Sequence, residues 1–191
     1  EALSGLETAL SFRFLKVKIN CVPTQDMPEK DYISLARLAR DQELDIRFIE
    51  MMPIGLGKEF GIVSGDWVYS ILKKEFGKAV ECIGRFGNGP AVYVHFPGFQ
   101  GKIGFIDAVS HQFCDKCNRV RLTSEGYLKP CLQYGTGTDL RKLLRSGADD
   151  AAICREMRRT IYDKPACHHF ADCISGAGQT FETRDMSQIG G

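Results

Sequence analysis

The chain has 191 residues, of which 43% are hydrophobic, which is enough apolar material for one sizeable core or two small ones. Its 25 basic and 24 acidic residues give a net charge of +1, a balance that argues against a generic nucleic-acid or membrane-surface binder. No stretch approaches the roughly 20 apolar residues of a membrane helix, and no signal peptide is visible. We therefore expect neither a nucleic-acid nor a membrane partner.

The first 55 residues carry the pattern of a βαβ unit. Apolar and polar residues alternate over 15–22, which predicts a strand. Pro28 opens a helical pattern that runs to about Arg40, and a second strand-like run over 45–52 is stopped by Pro53. Strand, helix and strand at this spacing predict that the two strands are parallel.

After Pro53 the pattern changes to shorter elements. Residues 54–62 are glycine-rich and predict an irregular loop, which lacks the ending of a phosphate-binding P-loop. An amphipathic helix follows over 64–77. Two strand-like runs, 91–96 and 102–109, are joined by proline and glycines and predict a small antiparallel sheet.

The last third is predicted to contain one hairpin and two helices. Residues 118–132 indicate a β-hairpin whose turn lies near Ser124–Gly126. Asp139 and Asp149 are suited to cap two helices. From residue 166 onwards the composition is small, polar and glycine-rich, and we expect little regular structure there.

The strongest chemical signal is a cluster of cysteines among the eight in the chain. Cys114 and Cys117 have two residues between them, and the predicted hairpin returns Cys131 to the same place. Three thiolates suit either a zinc site, which needs a fourth ligand, or an iron–sulfur cluster. Three cysteines on a four-iron cluster leave one iron open for a substrate. Disulfides are the weaker alternative in such a chain.

A structural zinc module remains open at this point, because candidates for a fourth ligand exist. They are His111, Cys167, His168, His169 and Cys173. The residues between the ligands favour the open cluster instead. In an extended chain, Arg119 and Arg121 share a face with Cys117 and offer bidentate donors to phosphate or carboxylate. An anion beside an open metal site is the better interpretation.

The run CDKCNRVRLTSEGYLKPCL at 114–132 resembles the C-terminal cluster motif of GTP 3′,8-cyclases, radical SAM enzymes of molybdenum cofactor biosynthesis. Further similarity comes in the same order along the chain, from VKIN at 17–20, IRFIEMMP at 46–53, KPACHHF at 164–170 and MSQIGG at 186–191. The cluster motif with its arginine pair is highly specific, whereas VKIN alone is weak.

The resemblance implies an α/β fold. Residues 1–55 are expected to form the last βα units of an incomplete (β/α) radical SAM barrel. Residues 56–191 are expected to form an α+β C-terminal domain with a small antiparallel sheet, an iron–sulfur cluster and an extended Gly-Gly tail. The implied reaction is radical cyclisation of GTP to (8S)-3′,8-cyclo-7,8-dihydroguanosine 5′-triphosphate.

The resemblance also implies roles for individual residues. Cys114, Cys117 and Cys131 would hold the second [4Fe-4S] cluster, which binds the GTP base. GTP would be contacted by Lys18, Arg119, Val120 and Arg121. S-adenosyl-L-methionine (SAM) would be contacted by Asn20, Arg47 and Met52. Gly190 and Gly191 would form a tail that supports catalysis. The 164–173 segment is interpreted as helix-end packing, and the role of Glu50 is left open.

One departure from the family pattern is large. The CxxxCxxC motif that binds the SAM cluster is absent from this sequence. We therefore expect SAM and the first [4Fe-4S] cluster to act only in a longer enzyme, and this chain alone to be inactive. Further expectations from the resemblance are a possible homodimer, cyclic pyranopterin monophosphate synthase as pathway partner, and a cytoplasmic location, or the mitochondrial matrix in a eukaryote.

Overall fold

A computed structural model of the chain describes residues 2–12, 16–84, 86–170 and 181–189. The described residues form a mixed α/β structure that divides into two compact units. The first comprises Glu1–Met51 with Gly61–His111, and the second Met52–Phe60 with Gln112–Gly191. The expected α/β class is confirmed at this level, whereas the (β/α) barrel and the division at residue 55 stay predictions.

The first unit opens with helix α1 (Ala2–Ser11), strand β1 (Val17–Cys21), helix α2 (Glu29–Asp41) and strand β2 (Leu44–Ile49). Helix α2 begins after Pro28, whose fixed φ suits a helix start, and acidic residues in its first turn complement the helix dipole. Strands β1 and β2 are parallel, with Val17 opposite Leu44. The predicted βαβ unit is therefore confirmed.

Helix α3 (Gly65–Phe76) follows the predicted pattern closely. The Ser64 side chain accepts a hydrogen bond from Trp67 N, and Gly77 ends the helix at φ 83°, where a side chain would be strained. Between β2 and α3, the segment predicted as an irregular loop contains a short 3₁₀ helix, Gly55–Glu59, which belongs to the second unit.

The strands after α3 correct one prediction. These are β3 (Val80–Glu81), β4 (Val92–His95) and β5 (Ile103–Ile106). Strands β4 and β5 are antiparallel as predicted, but β5 also pairs in parallel with β2. The result is one mixed sheet in the order β1-β2-β5-β4-β3 rather than a separate antiparallel sheet. Strand β5 fits beside β2 because its buried Ile103 and Phe105 continue the apolar face of that strand.

Helices α2 and α3 pack on one face of this sheet and enclose the core of the first unit. The fully or almost fully buried side chains there include Tyr32, Leu44, Ile46, Phe48, Val68, Leu72, Phe96 and Ile103. Along β1 and β2, residues that face this core alternate with residues that face the opposite side of the sheet. The other face of the sheet therefore presents Lys18, Asn20 and Arg47 away from the helices.

The second unit contains the predicted hairpin. Strands β6 (Arg121–Leu122) and β7 (Tyr127–Lys129) are antiparallel and connected through Gly126 at φ 81°, and β8 (Thr138–Asp139) pairs with β7 on its other side. This three-stranded sheet is the small antiparallel sheet of the unit. The strands are shorter than predicted, because residues 118–120 have no strand partner among the described residues.

Two helices pack near this sheet, α4 (Leu140–Arg145) and α5 (Asp150–Tyr162). The predicted caps are confirmed: the Asp139 carboxylate accepts from Lys142 N at 2.8 Å, and that of Asp149 accepts from Ala152 N at 2.7 Å. In the described part of the terminal region, Phe181 bridges to Tyr134 and a 3₁₀ helix spans Met186–Gln188. None of the helices in the described residues is long and apolar enough to cross a membrane.

Candidate cluster and nucleotide site

The hairpin brings the predicted cysteine ligands towards one another. Cys114 opens a 3₁₀ turn, Cys114–Lys116, and Cys117 N donates to Cys114 O at 3.1 Å. This turn places Cys114 and Cys117 on one tight loop. Cys131 follows β7, whose Lys129 lies opposite Arg121 in β6. The chain thus returns beside the segment that it left after Cys117.

The electrostatics of Cys114 reflect this proximity. Burial raises the pKa of the Cys114 thiol, the His168 N–H partly opposes this effect, and the nearby Cys131, Cys117 and Cys167 raise it further. Ionising several of these thiols together is unfavourable in the absence of a positive charge. A metal centre removes that penalty, because it binds the thiolate form directly. These thiols are therefore candidate ligands of a metal centre.

Two hydrogen-bond donors from a distant segment face the sulfurs of two candidate ligands. Lys164 Nζ lies 3.3 Å from Cys117 Sγ, and His168 N lies 3.4 Å from Cys114 Sγ. Donors to the sulfurs are a regular feature of cluster-binding cysteines. The sequence interpretation of this segment as helix-end packing is therefore incomplete. The KPACHHF run contains no local signal that indicates which residues it contacts.

Arg121 is a half-buried cation at the same place. Burial lowers the pKa of Arg121 and the like charge of Arg119 lowers it further, whereas Cys117 and Cys131 raise it. Arg121 thus lies near both cysteines and near Arg119. Guanidinium groups pair readily with carboxylate and phosphate oxygens, so the two arginines are candidates for binding an anion. Val120 between them is 44% exposed.

The zinc alternative requires a fourth ligand beside the three cysteines. No three His, Cys, Asp or Glu side chains in the described ranges are grouped so that they could hold one metal ion. His111 belongs to the first unit, where its ring lies 3.7 Å from Asp107 Oδ2 and 3.9 Å from Asp66 Oδ2. Ligands of one zinc ion all lie about 2.0–2.3 Å from the metal, whereas the thiolates of a four-iron cluster bind different irons.

The thiols needed for a cluster are available. Each of the seven cysteines that the structure describes is free of a disulfide. Three neighbouring cysteines, two donors to their sulfurs and the nearby cation of Arg121 suit the negative charge of an iron–sulfur cluster. The residues present therefore fit this group.

The second set of predicted site residues lies on the sheet of the first unit. Arg47 Nε donates to Asn20 Oδ1 at 2.8 Å, so the structure brings these two expected SAM contacts together. Lys18, on the same face of β1, donates to Phe86 O at 2.7 Å, and its ammonium lies 5.5 Å from the centre of the Tyr93 ring. These contacts hold the polar side chains in defined positions.

Other predicted residues have different outcomes. Met52 belongs to the second unit, where its carbonyl accepts from Ile54 N at 2.8 Å. Glu50 is 2% exposed, and its Oε2 accepts from Val109 N at 2.6 Å and Ser110 N at 2.9 Å, which gives it a structural role in the loop after β5. Cys173, Gly190 and Gly191 lie outside the described residues.

Sequence reasoning missed a buried ion pair beside Cys131. The ammonium of Lys129 is fully buried and bonds to the Glu182 carboxylate and to Tyr134 O, the latter at 2.6 Å. Glu182 also accepts from Arg184, and its backbone N–H donates to Gln133 O at 2.6 Å. These bonds fasten residues 181–184 to the loop that contains Cys131. A lysine in a strand otherwise resembles a surface residue, so only the fold reveals this role.

Comparison with known proteins defines the class. The family model Molybdenum Cofactor Synthesis C matches residues 44–170, which include all three candidate ligands and both arginines. The chain belongs to this family of molybdenum cofactor synthesis proteins.

The similarity extends to particular enzymes. The chain is 44% identical to the GTP 3′,8-cyclase of Clostridium perfringens strain 13 over 158 residues, 82% of this chain and 48% of that protein. It is 34% identical to the enzyme of Desulforamulus reducens over 190 residues, 98% of this chain and 57% of that protein. It is 38% identical to the enzyme of Nostoc punctiforme over 193 residues, 98% of this chain and 57% of that protein. The chain thus spans about half the length of the curated relatives it matches. The resemblance seen in the sequence is confirmed.

Proposed function

We propose that this chain is the GTP-binding part of a GTP 3′,8-cyclase, which converts GTP to (8S)-3′,8-cyclo-7,8-dihydroguanosine 5′-triphosphate in the first step of molybdenum cofactor biosynthesis. The observation that carries the proposal is the half-buried Arg121 beside Arg119 and the cysteines. This arrangement combines a place for a metal centre with a place for an anion. Its relatives named GTP 3′,8-cyclase support the choice of GTP as that anion.

In this proposal, Cys114, Cys117 and Cys131 hold a [4Fe-4S] cluster. When bound, such a cluster offers one iron without a protein ligand, where a donor atom of the substrate can bind. The protein itself supplies charge and orientation. Arg121 and Arg119 pair with anionic oxygens of the nucleotide through their planar guanidinium groups, and the backbone at Val120 keeps the two arginines in register.

The remaining proposed contacts follow from the resemblance to the family. Lys18 is assigned to the GTP phosphates, because its ammonium is a compact cation on the polar face of β1. Asn20, Arg47 and Met52 are assigned to SAM. The hydrogen bond between Asn20 and Arg47 supports this, since it fixes the orientation of both side chains before a ligand binds. Gly190 and Gly191 are assigned to a tail that supports catalysis.

The complete reaction requires components that this sequence lacks. SAM cleavage to a radical is assigned to another [4Fe-4S] cluster, bound by a CxxxCxxC motif that does not occur here. The product would pass to cyclic pyranopterin monophosphate synthase, and a homodimer is a possible assembly. Free thiols suit a reducing compartment, which is the cytoplasm, or the mitochondrial matrix in a eukaryote.

The decisive experiment is anaerobic reconstitution of the protein with iron and sulfide, followed by metal analysis and GTP titration. We expect about four irons and four sulfides per site. Replacement of Cys131 by Ser should abolish the brown absorbance, whereas the matched variant Cys154→Ser, at an exposed position on α5, should not. About one zinc per chain and no iron would refute the cluster and favour a structural zinc module.

A further inference from the structure

Lys164 occupies a position that the end of helix α5 determines. The helix ends at Tyr162, and Asp163 N still donates to Arg159 O at 2.8 Å. Pro165 cannot donate a backbone hydrogen bond and disfavours helical geometry in the residue before it. Lys164 therefore leaves the helix axis, and its half-buried side chain reaches the loop after the cysteine pair.

The ammonium of Lys164 makes two contacts that span the first part of the site. Nζ lies 3.3 Å from Cys117 Sγ and donates to Arg119 O at 2.7 Å. One group thus bonds to a candidate ligand atom and to the backbone of the first candidate anion-binding residue. The contact crosses 47 residues of sequence, so it is a product of the fold.

The chemistry of these contacts goes beyond packing. A lysine ammonium is a strongly hydrated point charge, and holding it half-buried is favourable when it meets a negative partner. Cys117 as a thiolate ligand would be that partner, and a charge-assisted hydrogen bond to sulfur delocalises ligand charge. Hydrogen bonds to the sulfurs and the net charge nearby are among the factors that set the reduction potential of an iron–sulfur cluster.

We propose that Lys164 is a positioning residue that sets the charge at the Cys117 ligand, so that it raises the reduction potential of the bound cluster and holds Arg119 in place. This inference rests on the proposed function, since it requires that the cysteines bind a cluster. Lys164 also explains why the KPACHHF run is linked to the cysteine site: its first residue donates to one sulfur and its fifth, His168, donates through its backbone to another.

The test is a redox titration of the reconstituted protein, monitored by electron paramagnetic resonance, in four forms. These are the wild type, Lys164→Met, Lys164→Arg and the control Lys142→Met, which removes an exposed lysine from α4. Far-UV circular dichroism verifies that each form is folded.

We expect Lys164→Met to make cluster reduction at least tenfold less favourable, which corresponds to a shift of about 59 mV towards negative potential for one electron. Lys164→Arg and Lys142→Met should remain close to the wild type. A folded Lys164→Met variant that loads no cluster, beside a loaded Lys164→Arg variant, would also support the proposal. If Lys164→Met does not fold, Lys164→Gln takes its place, and the same shift is expected.

Equal cluster loading and equal potential in all folded variants would overturn the role of Lys164 and leave the proposed function intact. A wild type that binds zinc or no metal would instead refute the proposed function itself. The two failures are thus distinguished by the metal content of the wild-type protein alone.

Discussion

The buried pair of Lys129 and Glu182 yields an asymmetric stability prediction. Lys129 is fully buried and the Glu182 side chain is 3% exposed. Removing one partner of a buried ion pair typically costs about 3–5 kcal/mol, because the other charge is left without compensation. We expect Glu182→Leu to reach the upper part of that range, since the Lys129 ammonium then retains, among its described partners, only the neutral Tyr134 carbonyl.

Lys129→Met should cost less. The remaining Glu182 carboxylate still accepts from Arg184 Nε at 3.0 Å and Nη2 at 3.1 Å, and from the backbone N–H groups of Thr183 and Arg184 at 3.0 and 2.9 Å. These partners keep the charge compensated. The exposed Glu125, which lies 3.7 Å from Arg184, is the matched control, and Glu125→Gln should change the unfolding free energy by less than about 1 kcal/mol.

The lowered pKa of Glu182 gives a stabilising free energy of the same order of magnitude. Burial alone would raise this pKa, but hydrogen bonds from Arg184 and Lys129 outweigh it and lower the pKa from 4.5 to about 2. At about 1.36 kcal/mol per pKa unit, the ionised form contributes roughly 3 kcal/mol to stability. Because the folded-state pKa is lowered, this contribution is present above pH 4.5 and is lost as the pH falls from there towards 2.

Urea unfolding followed by far-UV circular dichroism measures the three variants, and hydrogen exchange of residues 181–189 locates the effect. If Lys129→Met were as destabilising as Glu182→Leu or more so, the reasoning from residual partners would be refuted. If both variants had the unfolding free energy of the wild type at every pH from 7 to 3, the ion pair would not contribute to folding.

Three further predictions concern substrate, core and reaction. Arg121→Ala should weaken GTP binding by roughly 10- to 150-fold, because charged hydrogen bonds are lost, and isothermal titration calorimetry measures this change. The control Arg145→Ala, at an exposed position, should leave the affinity unchanged. Equal affinities of the two variants for GTP would contradict the arginine assignment. Gly101→Ala should destabilise the first unit by at least about 1–3 kcal/mol, because its Cβ would lie 1.6 Å from the Leu44 carbonyl oxygen. Trp67 fluorescence during urea unfolding measures this, and wild-type stability would contradict it. The reduced, reconstituted chain should form no 5′-deoxyadenosine from SAM, since it lacks the CxxxCxxC motif. Chromatography of the reaction mixture measures this product, and its detection would overturn the expectation.

The sequence by itself determined the local elements and predicted the type of chemistry at the site. Alternation over 15–22 and the helix opened by Pro28 predicted a parallel βαβ unit, and Asp139 and Asp149 predicted two caps, because these signals depend on residues close in sequence. The CxxC spacing and its arginine pair likewise indicated a metal site beside an anion. The hairpin that returns Cys131 was also predictable from its turn at Gly126.

The tertiary structure decided which distant segments meet. Strand β5 pairs with β2 rather than forming its own sheet, because its apolar face continues the core, and that choice depends on contacts about 57 residues apart. Lys164 meets Cys117, and Lys129 meets Glu182, across 47 and 53 residues. Burial and charge compensation select such pairings only after the chain has folded, so no local pattern reveals them.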